Sequence, residues 1–113
     1  MATEHIEGYQ QIEPSLFKPQ ADYLLRIHGM SMSKASILDG DLLVVHKTSV
    51  AQHGQIVVTR IDQQVIVRRL EQRQNLTQLL PENDDFSAID IDWCDTELII
   101  EGVGIGVIRN KLI

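Results

Sequence analysis

Apolar residues along this chain come in short runs with a period near two, broken by turn residues, and almost nowhere at helical spacing. YLLRIHG predicts a strand from Tyr23 that ends at Gly29. A turn at Asp39-Gly40 leads into a strand over Leu42 to His46, and His53-Gly54 leads into another over Gln55 to Ile61. The tight connection Asp62-Gln63-Gln64 folds VIVRRL, Val65 to Leu70, back as a hairpin. LTQLLP gives a short strand stopped by Pro81, and ELIIEGVGIGVIRN closes the chain as a long strand interrupted by glycines, which mark bends or close approach. Only Ser33 to Leu38 reads as helical, for a turn or two. Residues 1–20, broken by Pro14 and Pro19, hold neither period and read as an arm; 21–113 read as the domain proper. Several short strands at fairly regular spacing predict an all-β sandwich or coiled barrel with hairpins.

Composition narrows the function classes. The 113 residues suffice for one domain, and 43% hydrophobic with 23% charged residues is the balance of an ordinary globular chain. Ten basic against sixteen acidic residues give a net charge of −6, which argues against this segment gripping nucleic acid by itself. No apolar run approaches the roughly 20 residues of a membrane span, and MATEHIEGYQ is too polar for a signal peptide. The single Cys94 excludes an internal disulfide and suits a reducing, cytoplasmic setting.

Most local motifs dissolve under their own chemistry. His5, His28, His46 and His53 match no zinc spacing, so no metal or other cofactor is expected. The acidic run from Glu82 to Glu97 lacks the glycine and alternation of a calcium loop and reads as a solvated rim. Gly102-Val103-Gly104-Ile105-Gly106 opens no helix, so it cannot cradle a pyrophosphate. Asn75-Leu76-Thr77 is a glycosylation acceptor only in a secreted chain.

Two features resist dismissal. Ser31, in Gly29-Met30-Ser31-Met32, follows a strand at the start of a turn, where its Oγ would be exposed and the Met30 and Ser31 amides could bind an oxyanion. Its bland reading is a turn or helix-cap serine. Arg68 shares a predicted strand face with Ile66 and Leu70, an odd place for a cation that cannot shed its charge. Its bland reading is an edge strand from which Arg68 snorkels outward.

Taken together, GMSM, ILDGDLLVVHK, GQIVVTRI, VIVRRL, LLPEN and IIEGVGIGVIRN resemble the C-terminal domain of the LexA/UmuD family of self-cleaving Ser–Lys peptidases. The similarity runs in order from HIEG to about Asn110. It implies a small coiled all-β domain that homodimerises through its last strand, with Ile99, Glu101, Val103, Ile105 and Val107 at the contact. It implies that Ser31 is the nucleophile, that the Met30 and Ser31 amides form the oxyanion hole, and that the residue at position 68 is the base. In the family a buried neutral lysine takes the serine proton, and the serine attacks an Ala–Gly bond of the repressor's own linker. A RecA–single-stranded DNA filament promotes that cleavage, and an N-terminal winged helix-turn-helix reads operator DNA.

The chain departs from that pattern. Arg68 stands where the lysine is expected, no alanine precedes a glycine, and Cys94 precedes Asp95. A helix-turn-helix is not in the sequence, so operator DNA is expected only through a separate N-terminal domain. The leading expectation is thus the regulatory and dimerisation domain of an SOS-response repressor with a crippled peptidase site. The alternatives are a UmuD-like accessory subunit of a translesion polymerase and a non-catalytic β interaction module. Ser31 and Arg68 are expected to face one another across a shallow cleft, within hydrogen-bond reach.

Overall fold

The computed structural model describes residues 5–8, 13–94 and 96–109, with the side chains of 5–8 and of Pro14 left aside. Eight antiparallel strands form one curled sheet in the order β1-β2-β3-β8-β4-β5-β6-β7. They are β1 (His5–Gly8), β2 (Tyr23–Arg26), β3 (Leu42–Lys47), β4 (Ile56–Ile61), β5 (Gln64–Arg73), β6 (Leu76–Leu80), β7 (Ile89–Asp90) and β8 (Leu98–Ile108). The all-β expectation holds. The helical stretch is shorter than expected, a single 3-10 turn at Ser33–Ala35, and a second lies at Pro14–Leu16.

Local chemistry explains the hairpins. β4 and β5 are joined through Asp62 and Gln63, whose φ angles of 47° and 73° are both positive, and Ile61 pairs with Gln64 across them. Two left-handed residues match the twist of the strands they connect. Gly40 and Gly54, at φ 88° and 90°, close the turns before β3 and β4.

Part of the N-terminal arm is built into the sheet, because β1 pairs with β2. Its polar pattern hid the strand, and the two-residue β7 was too short to register in sequence. The strand expected to reach Gly29 stops at Arg26, while β5 runs on to Arg73.

The core forms two clusters. Leu25, Ile27, Met32, Ile37, Leu43, Val45, Val58 and Val67 make one; Val57, Leu70, Leu79, Ile91 and Val103 make the other. β5 contributes Val67 to the first and Leu70 to the second, so both its faces are covered. Sitting between β4 and β6, it is no edge strand, and the outward-snorkelling reading of Arg68 fails.

β8 lies between β3 and β4, and β1 and β7 are the outermost strands. Register shifts between Val44 and Val45 in the β3 ladder, and between Val58 and Thr59 in the β4 ladder, place extra residues in β8. Such bulges break the period of two. Ile99, Glu101, Val103, Ile105 and Val107 therefore do not share one outward face: Val103 is buried in the second cluster, Ile105 packs against it, and Glu101 accepts a 2.8 Å bond from Arg60 Nε. Ile99 and Val107 remain exposed. Among the described residues no helix is long and apolar enough to cross a membrane.

Candidate active site

Ser31 sits in the turn that follows β2. Gly29, at φ 89°, lets the chain double back, and its amide donates to Asp39 Oδ1 at 2.7 Å. Ser33 N closes on Met30 O at 3.1 Å, and Met32 buries its side chain in the first core cluster. Met30, on the other side of Ser31, is exposed. Ser31 is only 7% exposed, contrary to the expectation of an exposed Oγ.

Arg68, 5% exposed, meets it from β5, where it pairs with Val57 of β4. Its Nη1 donates 2.8 Å to Ser31 Oγ and 2.7 Å to Val67 O. The two residues expected to meet do so across 37 positions of sequence. Both side chains are almost wholly withdrawn from solvent where they meet. A cleft of about 520 Å3 lies elsewhere, lined by residues that include Arg26, Asp39, Asp41, Leu42 and Arg109.

The chemistry of the pair follows from the donor inventory. Guanidinium has five N–H donors, no acceptor, and stays protonated at any ordinary pH. Ser31 Oγ is therefore an acceptor in this contact, and Arg68 cannot take its proton. Lys34 is another amine in the same turn, but it faces Asp84. Its Nζ lies 2.7 Å from Asp84 Oδ2, and that hydrogen bond holds its pKa above the ordinary lysine value. A lysine held protonated is no substitute base. Among the described residues, no hydrogen bond from the Met30 or the Ser31 amide is seen.

Sequence reasoning missed the residues that hold this turn. Glu82 N donates to Ser31 O at 2.8 Å and Lys34 N donates to Glu82 O at 2.7 Å, so a single residue brackets the Ser31 turn. Asn83 Nδ2 adds bonds to Met30 O at 2.9 Å and Ser33 Oγ at 3.2 Å. Their only sequence signal was the LLPEN run, read as resemblance without a role. Among the described residues no group of three or more His, Cys, Asp or Glu side chains could hold a metal ion.

The described residues thus define an all-β domain that buries a turn serine against a basic side chain from a neighbouring hairpin. The family profile described as Peptidase S24-like matches residues 1–105, and the chain belongs to that family. It is 56% identical over 110 residues to the LexA repressors of Edwardsiella ictaluri and Sodalis glossinidius, and 54% identical to that of Erwinia tasmaniensis. Each match covers 97% of this chain and 54% of the relative, so the chain spans about half the length of the curated relatives it matches.

Proposed function

We propose that this chain is the dimerisation and peptidase domain of a LexA-type repressor whose self-cleavage is switched off at the base. The observation that carries the reading is the 2.8 Å bond from Arg68 Nη1 to Ser31 Oγ. In this reading Ser31 is the nucleophile, the Met30 and Ser31 amides await the oxyanion, and position 68 belongs to the general base. Lysine can shed its proton when burial lowers its pKa, whereas arginine cannot. Operator DNA would be read by a separate N-terminal domain, and a RecA–single-stranded DNA filament would be the partner that promotes cleavage in active members of the family.

Dimerisation would use the C-terminal half of β8. The β4 ladder ends at Val57 with Val103, whereas the β3 ladder continues to Leu42 with Ile108. Beyond Val103 the strand is thus bonded on one side only among the described pairings, with Val107 exposed. An open strand edge bearing an aliphatic residue suits antiparallel pairing with a second copy.

The test is gain of function. Arg68→Lys, supplied with a separate LexA-type linker peptide containing Ala–Gly, is expected to cleave it at a rate that rises with pH as the lysine deprotonates. Ser31→Ala in that background is expected to abolish cleavage. A folded Arg68→Lys protein with no Ser31-dependent cleavage at any pH would overturn the assignment of position 68.

A further inference from the structure

β5 reaches the nucleophile turn from both of its faces. Arg68 touches Ser31 directly. Arg69, the next residue and so on the opposite face, donates from Nε to Glu82 Oε1 at 2.5 Å and from Nη1 to Gly54 O at 2.7 Å. Glu82 is the residue whose amide and carbonyl bracket the turn through Ser31 O and Lys34 N. The chain of contacts is closed: β5, Arg69, Glu82, the Ser31 turn, Arg68, and β5 again. Asn83 fastens the same turn at Met30 O and Ser33 Oγ.

From this closed ring we infer that Arg69, Glu82 and Asn83 are positioning residues that hold Ser31 in register with the side chain at position 68. The inference rests on the proposed role of that pair and adds what keeps it assembled. The Arg69–Glu82 ion pair is about one-third exposed on either side, so its direct contribution to stability is small. Its effect is geometric. The segment 82–83 follows a strand that ends at Leu80 and is fixed against the turn by its backbone bonds, by Asn83 and, one residue on, by the exposed Lys34–Asp84 pair. The Arg69 fork ties it to the strand that carries residue 68, with the His53–Gly54 turn as a third anchor. Moving Ser31 by an ångström would lengthen a 2.8 Å bond past the range in which hydrogen bonding operates well.

The inference can be tested without catalysis. In a Cys94→Ser background, Ser31→Cys places a thiol where the hydroxyl sits, and its ionisation can be followed by thiolate absorbance. A neighbouring cation lowers a thiol pKa from about 8.5 to about 7.5 or below. Ser31→Cys is therefore expected to titrate low with Arg68 present, and normally or high in Arg68→Gln. Adding Glu82→Gln or Asn83→Ala is expected to return the titration toward the ordinary value, lowering the thiolate fraction near pH 6.5 about tenfold. The charge-swapped pair Arg69→Glu with Glu82→Arg is expected to recover part of the shift. Where Glu82→Gln does not fold, Asn83→Ser and the swapped pair carry the test.

A merely structural role would lower the melting temperature and leave the thiol titration unmoved. An unchanged titration in folded Glu82→Gln and Asn83→Ala proteins would overturn the inference. So would an ordinary thiol pKa in the parent, since Ser31 would then not be held against Arg68 at all. Failure of Arg68→Lys to cleave a linker peptide would count against the catalytic reading and leave this titration intact, so the two failures are distinguishable.

Discussion

Arg68 and Ser31 meet at 2.8 Å although both side chains are almost wholly withdrawn from water. A buried guanidinium is costly unless its donors are used, and here Nη1 serves both Ser31 Oγ and Val67 O. In that contact Ser31 Oγ accepts from a group that cannot take its proton.

The Asp41–Arg109 pair gives a pH prediction. Asp41 is buried, accepts from Arg109 Nε and Nη2 at 2.7 Å each, and accepts from Leu38 N at 2.7 Å. The Arg109 hydrogen bond, with the Leu38 amide, holds its carboxyl below the ordinary aspartate range, outweighing the opposing effect of burial. A carboxylate whose pKa is depressed on folding adds stability above its unfolded pKa of about 3.9, lost as pH falls through the folded value. Asp41→Asn is therefore expected to be less stable than the parent at neutral pH, with the difference closing below about pH 4. Urea denaturation at the two pH values measures it; a gap that widens in acid would contradict the assignment.

Gly102 and Gly106 separate two meanings of a strand glycine. A Cβ at Gly102 would lie 2.6 Å from the His46 carbonyl oxygen and 2.6 Å from Val45 Cγ1, against a fixed neighbouring strand. A Cβ at Gly106 would meet the Phe17 ring at 2.9 Å, on a segment outside the sheet that can shift. Gly102→Ala is expected to cost about 1–3 kcal/mol, and Gly106→Ala under about 1 kcal/mol. Thermal melts would show the ordering, and equal losses would refute it.

The β4–β5 turn can be improved. Gln63 sits at φ 73°, where a side chain costs about 1–2 kcal/mol and glycine costs little. Gln63→Gly also loosens the unfolded chain, so the expected net gain is about 0.5 kcal/mol. Gly40→Ala, with open space around it but φ 88°, is expected to lose stability for the converse reason. A denaturation midpoint that falls for Gln63→Gly would show that the turn is not strained.

Period-two runs between turn residues made β2 to β6 and β8 legible, since each strand alternates or buries a short apolar stretch. Ser31 and Arg68 were legible as a pair only through resemblance; neither spacing nor composition joins residues 37 apart. What stayed hidden was set by neighbours. An interior strand and an edge strand of aliphatics and glycines look alike until pairing is known, so the neighbours of β8 were not legible. Ser31 was expected at the surface because burial of its turn depends on Met32 entering a distant core. Glu82 and Asn83 act mostly through backbone bonds and an amide, which leave no pattern in sequence.

The most direct measurement is Ser31-dependent cleavage of an Ala–Gly linker peptide by the unmodified chain, followed by mass spectrometry from neutral to alkaline pH beside its Arg68→Lys variant. The bond from Arg68 to Ser31 predicts no cleavage by the unmodified chain at any pH, and cleavage rising with pH in the variant. Cleavage by the unmodified chain that disappears in Ser31→Ala would contradict it, because a base other than residue 68 would then be serving the nucleophile.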